Sequence, residues 1–297
     1  MRSAGRTKLG YYPLPESEGR RLRTLFAFPA NASASVLDPC AGTGRALHFL
    51  TAGANVEKHG IELDANRAVI AVASGIRMIQ GNAFDTVGKA GSFSFLYLNP
   101  PYDVEIGPMS NKRMEYLFLD HTYHLLVEGG VLLMVVPEDR LDSSITLLAG
   151  NFVNLQVFGL SDPESVRFKQ VAVLGVRKRV RSPDYEQNRT SLQRIIYRPD
   201  MPVLQGGEMV YSMPPTPSTS LVYQGLPHDA MEDVLPSSSA WNQAKAFLMP
   251  REEIAGGRPI TPLHAGHAGL LATAGMLNGV SVQGRTGTLR VGAPSSR

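Results

Sequence analysis

Along the first 180 residues, short apolar runs alternate with stretches of helical spacing, and the runs are continuous rather than alternating with polar residues. Val36-Leu37, Phe93 to Leu98 and Val131 to Val136 are of this kind. The two six-residue runs, bounded by turn residues, fit strands buried on both faces, and Val36-Leu37 begins a shorter buried strand. Between them lie predicted helices: the Glu/Arg-rich amphipathic stretch Glu16 to Phe26, a segment leaving Gly42-Thr43-Gly44 and running to about Ala52, and one beginning at Asp64-Ala65-Asn66-Arg67 with Asp64 as its N-cap. Met114, Leu117, Phe118, His121 and Leu125 recur at helical spacing, with Gly129-Gly130 expected to end that helix. His59 to Asp64 reads as a second strand and Met78 to Asp85 as a third strand and loop, with Phe84 in the core. Leu155 to Leu160 and Gln170 to Val176 read as an antiparallel pair closing an otherwise parallel sheet.

The apolar run Phe93 to Leu98 stops at Asn99-Pro100-Pro101-Tyr102. Two successive prolines cannot donate to a sheet ladder and restrict the residues before them to extended backbone, so Asn99 is held at the strand's rim. An amide oxygen, a prolyl carbonyl and an aromatic ring then stand together. That set suits a planar substrate bearing an amino group.

Upstream, Val36-Leu37-Asp38-Pro39-Cys40-Ala41-Gly42-Thr43-Gly44 reads as strand, tight glycine loop and helix, a nucleotide-type cradle. The third glycine of the dinucleotide pattern should fall at position 47, which is Leu, and no Gly-Lys-Ser/Thr follows. An acid just before the loop, Asp38, would repel a pyrophosphate but accepts hydrogen bonds from a cationic ligand such as S-adenosylmethionine. Glu62 ends the next strand about twenty residues on, the place of a ribose-binding acid in a βαβ unit. Asn82 in the third loop is placed to accept from an adenine amino group.

Composition bounds the rest. At 297 residues, 43% hydrophobic, the chain can bury one large core or one core and a smaller domain. No apolar run approaches a membrane span, and the basic N-terminus is not followed by a signal region, so the expectation is a soluble cytoplasmic protein with no membrane partner. A single cysteine, Cys40, rules out an internal disulfide and reads on its own as structural. The net charge of +3 permits a polyanionic partner without requiring one. No metal site is expected: His121 and His124 read as ordinary helix residues, and His264 and His267 have no acid or cysteine cluster beside them. Beyond about residue 182 lie more than half of the 21 prolines. Met213 to Ser218 and Leu235 to Ser239 read as linkers, Ala240 to Leu248 and Pro262 to Asn278 as helices, and Ser281 to Arg297 as disordered.

Taken in order, Asp38-Pro39-x-x-Gly42-x-Gly44, Glu62, Gly81-Asn82-Ala83-Phe84 and Asn99-Pro100-Pro101-Tyr102 resemble the class I S-adenosylmethionine-dependent methyltransferases, and among them the DNA adenine-N6 type. The resemblance covers roughly residues 8 to 178, with Gly10-Tyr11-Tyr12-Pro13 similar to the family's cofactor-covering arm. The family usually carries Asp at the place of Asn82 and often Thr at that of Leu14. The resemblance implies a Rossmann-like α/β fold with a mostly parallel seven-stranded sheet, an antiparallel terminal hairpin and a Pro-rich C-terminal region with short helices. It implies an arm over residues 1–35, a catalytic domain over 36–181, and a C-terminal region over 182–297 suited to substrate recognition or partner binding. It implies S-adenosyl-L-methionine held by Tyr12, Pro13, Asp38, Cys40, Gly42, Gly44, Glu62, Asn82, Ala83 and Asn99, with Asn99, Pro100, Pro101 and Tyr102 catalytic. DNA is the expected partner. RNA and protein glutamine are the alternative substrates, because enzymes of both kinds share the Asn-Pro-Pro-Tyr arrangement. A methyltransferase-like module that binds nucleic acid without catalysis is the alternative of another class.

Overall fold

A computed structural model describes residues 12–102, 104–105, 112–180, 184–196, 198, 201–205 and 208–225, and the backbone of 281–284 and 287–290. The chain divides into two units, Met1–Pro227 and His228–Arg297. The first contains a seven-stranded sheet built from β1 (Ala34–Asp38), β2 (Val56–Glu62), β3 (Arg77–Gln80), β4 (Phe93–Leu98), β5 (Leu126–Pro137), β6 (Phe152–Gly159) and β7 (Gln170–Arg177). Their order is β6-β7-β5-β4-β1-β2-β3, parallel except where β7 pairs antiparallel with β5 and β6. This is the Rossmann-like, mostly parallel seven-stranded sheet that the resemblance implies, with the terminal antiparallel pair that the chain's pattern predicts.

The continuous apolar runs are explained by cover on both faces. On β4 and β5, Leu96, Leu98, Leu132, Met134 and Val136 enter one core, and Phe95, Tyr97, Val131, Leu133 and Val135 enter the other. Leu22 of α1 (Glu16–Arg23), Leu47 and Leu50 of α2 (Arg45–Leu50) and Ala71 of α3 (Ala65–Ala73) line the second core. Phe118 and Leu119 of α4 (Met114–Thr122), Leu148 of α5 (Ile145–Asn151) and Leu192 of α7 (Tyr185–Ile196) line the first. The short α6 (Pro163–Arg167), N-capped by the Asp162 side chain, joins β6 to β7. Phe84 packs at the rim of the first core, its ring 4.7 Å from that of Phe118.

Two expectations are corrected. Gly129-Gly130 do not end a helix: α4 stops at Thr122, and the glycines lie inside β5. The reason is a bulge. Register passes from Phe93↔Leu126 to Phe95↔Val131, so β5 advances five residues while β4 advances two. Gly129 takes up the excess at φ +81°, and a Cβ on Gly130 would meet the Val127 carbonyl at 2.9 Å. Nor is the C-terminus wholly irregular, because Ser281–Gly284 pairs antiparallel with Gly287–Arg290. That local ladder leaves little hydrophobic pattern to read. The helices expected over 240–248 and 262–278, His264, His267 and Tyr11 lie outside the described residues.

The Pro-rich segment 208–225 is laced onto the first unit. Tyr211–Ser212 pairs in parallel with Phe26–Ala27, and Leu221–Tyr223 pairs antiparallel with Thr86–Gly88. The Ser35 N–H donates to Thr216 Oγ1 at 2.7 Å.

Candidate active site

Every motif residue from β1 onward falls at the carboxyl edge of the sheet. β1 is flanked by β2 on one side and β4 on the other, so strand order reverses between β1 and β4 and opens a crevice there, the usual ligand position in open α/β sheets. Asp38 ends β1 and Glu62 ends β2; Asn82 follows β3 and Asn99 follows β4.

On the β1–β2 side, Gly42 (φ +55°) and Gly44 (φ +78°) hold the loop in the left-handed region, and a Cβ on Gly44 would overlap the Ile76 side chain. Glu62 organises this loop. Its Oε2 accepts from the Gly42 N–H at 2.8 Å, and its Oε1 from the Asp64 N–H and the Arg67 guanidinium, each at 2.8 Å. A carboxylate offers about four acceptor directions, so one remains on Oε2 for a ligand hydroxyl. Asp38 Oδ1 accepts from the Cys40 N–H at 2.9 Å. Burial pushes the Asp38 carboxyl up to about 8, with Glu62 adding to the shift and the Cys40 N–H opposing it. The same burial and the same two acids push the Cys40 thiol up, in keeping with a structural cysteine. Asp64 caps α3, accepting from the Arg67 N–H at 3.0 Å. Asn82 is exposed, and its Oδ1 accepts from the Phe84 N–H at 3.1 Å, capping the turn that contains buried Ala83.

On the β4 side, Asn99, Tyr102 and Tyr12 meet. Tyr102 Oη donates to Asn99 Oδ1 at 2.7 Å, and Asn99 Nδ2 donates to the Tyr12 carbonyl at 2.7 Å. The Tyr12 ring stacks on Tyr102, centroids 5.1 Å and planes 10° apart, while Phe168 meets Tyr12 edge-on at 4.8 Å. Pro100 is buried, Pro101 partly so, and Pro13 of the arm is exposed.

Sequence reading missed four contributors. Gln170 Nε2 donates to Tyr102 Oη at 2.7 Å and fixes the phenol as donor to Asn99. Phe168 supplies the edge-on ring. Glu115, fully buried, takes a two-point contact from Arg113 (2.8 and 3.2 Å) and stands near Tyr102. Glu18 of α1, 2% exposed, accepts from the N–H groups of Ser161 and Asp162 and ties the arm to the loop before α6. None carries a motif signal: Gln170, Phe168 and Glu18 depend on partners far away in sequence, and the Arg113–Glu115 pair is too common a pattern to mark a site.

These residues fit a cationic, ribose-bearing donor: a buried acid, a second acid with a free acceptor direction, and a loop that turns on two left-handed glycines. Among solved structures, the methyltransferase subunit of a type I restriction-modification system from Streptococcus thermophilus is 15% identical, covering 57% of this chain and 45% of that one, TM-score 0.45. This chain therefore spans under half the length of that subunit. A geranyl diphosphate methyltransferase in complex with S-adenosylmethionine is 13% identical (56% and 85% covered, TM-score 0.41). A predicted O-methyltransferase from Agrobacterium tumefaciens is 15% identical (58% and 96% covered, TM-score 0.41). No curated protein matches the sequence. The uncharacterised methyltransferase family DUF6094 matches residues 2–215, so the chain belongs to that family.

Proposed function

We propose that this methyltransferase acts in the cytoplasm on an exocyclic amino group, N6 of adenine in DNA. The observation that carries the reading is the clamp formed by Asn99 and Tyr102, whose aromatic face already holds a planar ring, that of Tyr12, at stacking distance. A base extruded from a duplex presents the same flat surface and recovers part of its lost stacking there.

An exocyclic amino group is a poor nucleophile because its lone pair is delocalised into the ring. Asn99 Oδ1 and the Pro100 carbonyl accept its two N–H bonds and favour a pyramidal nitrogen. Gln170 and Tyr102 keep Asn99 oriented with its oxygen toward the acceptor. When bound, S-adenosyl-L-methionine, the proposed donor, would supply an activated methyl on its sulfonium. A nitrogen–carbon bond forms as the carbon–sulfur bond breaks, and the amino proton leaves to water afterwards. Positioning by these side chains supplies most of the rate.

The test is to incubate the protein with labelled donor and separate pools of DNA, structured RNA and protein. Label in DNA recovered as N6-methyladenine supports the reading. Label confined to RNA or protein overturns the substrate assignment. Donor binding by folded protein with no transfer to any pool favours a non-catalytic nucleic-acid-binding module.

A further inference from the structure

Tyr97 is 1% exposed, and among the described residues its hydroxyl meets no partner at good hydrogen-bond geometry, the nearest polar side chain acting on it being that of Asn99. Buried hydroxyls are nearly always partnered, so a bare one calls for an explanation. The side chain lies two residues before Asn99 and belongs to none of the motifs described above.

Its position supplies the explanation. In the β1–β4 ladder Val36 lies opposite Phe95 and Leu37 opposite Leu96, so one step further sets Asp38 beside Tyr97. Val36, Phe95 and Tyr97 share one core, and the two-residue period of a strand directs Asp38 to that face too. Leu14 of the arm packs into the same core, next to Tyr12, whose carbonyl holds Asn99. The Tyr97 hydroxyl thus stands between the donor's acid and the acceptor's amide, under the arm. Burial pushes its ionisation well up, Asp38 and Tyr102 push the same way and the Asn99 side chain only partly opposes them, so it remains an O–H donor.

We infer that the Tyr97 hydroxyl is a ligand for the amino-acid half of S-adenosyl-L-methionine, donating to its carboxylate while Asp38 accepts from its ammonium. A zwitterion needs one donor and one acceptor side by side. The pair Tyr97 and Asp38 offers them, while Glu62, on the neighbouring strand, attends to the ribose. The inference rests on the donor and not on the acceptor, so it stands or falls independently of the DNA reading.

Tyr97→Phe removes only the oxygen. Calorimetric titrations should compare S-adenosylmethionine with 5′-deoxy-5′-methylthioadenosine, which lacks the amino-acid half, alongside thermal melting of the unliganded proteins. The expected result is about a tenfold loss of S-adenosylmethionine affinity, the scale of one hydrogen bond to a charged group, with no change for the thioether nucleoside. Unliganded Tyr97→Phe should melt at the same temperature or higher, because the bare hydroxyl is gone. Unchanged S-adenosylmethionine affinity would show that the hydroxyl serves only a bound water. Equal losses for both ligands, or a lower melting temperature, would show a packing role. Either result overturns the assignment, whichever pool accepts label in the transfer assay.

Discussion

The Tyr12 ring covers the face of Tyr102, with planes 10° apart and centroids 5.1 Å apart, and its carbonyl occupies the Asn99 amide. A base stacking on Tyr102, as the proposed function requires, must displace that ring. Tyr12→Ala should therefore tighten binding of a single-stranded oligonucleotide carrying a fluorescent adenine analogue by roughly fivefold, about 1 kcal/mol for one lost aromatic stack. Fluorescence titration reads this directly. Weaker or unchanged binding would mean that the ring does not compete with the acceptor.

Asn99→Ala removes the oxygen proposed to accept from the substrate amino group and also releases Tyr102 Oη and the Tyr12 carbonyl. Single-turnover transfer should fall roughly a hundredfold or more. Donor affinity measured by calorimetry should hold within about twofold, since one hydrogen-bond loss on the donor side would cost more than that. A proportionate fall in both would place Asn99 mainly on the donor.

Asp38 gives a pH signature. Its ordinary value is 3.8, and the folded value is pushed up to about 8. The folded state therefore holds the proton more tightly than the unfolded state. Stability from this group is fully present below about pH 4 and is lost as pH rises through 8. A cationic donor favours the ionised acid, so binding near neutral pH should expel close to one proton. Affinity should rise by up to about tenfold per pH unit between 6 and 8. Calorimetry in buffers of different ionisation enthalpy counts the proton, and Asp38→Asn should abolish the count. A flat pH profile in the unsubstituted protein would show that Asp38 is already charged.

Glu18 tests how the arm is fastened. Its Oε1 accepts from Ser161 N–H (2.7 Å) and Asp162 N–H (2.6 Å), and Glu18→Ala leaves both without an acceptor. Unfolding free energy should drop by about 2–4 kcal/mol, on the scale of two unsatisfied amides. Glu18→Gln keeps an oxygen and should lose less than half of that. Denaturant titration separates the two; equal losses would point to the charge rather than the acceptor.

The sheet was legible because strands covered on both faces leave continuous apolar runs, and the crevice was legible because Asp38 and Asn99 sit where such runs end and Glu62 follows about twenty residues after the glycine loop. Other parts left no trace of that kind. Gly129-Gly130 carry the same residues whether they stop a helix or absorb a bulge, and only the neighbouring strand decides. Gln170 begins an apolar strand, and its bond to Tyr102 spans 68 residues. Two- and three-residue strands such as Tyr211–Ser212 and Leu221–Tyr223 are too short for any period to show.

Those short strands set a timetable for a chain leaving a ribosome. Ser35 waits for Thr216, 181 residues later, and Glu18 waits for Ser161, 143 residues later. At about 5–20 residues per second, the amino end of β1 goes roughly 10–40 s without its closing partner. During that interval its backbone is open to other chains and to proteases. Nascent chains stalled before Thr216 should be cut near Ser35, and those released past Tyr223 should resist.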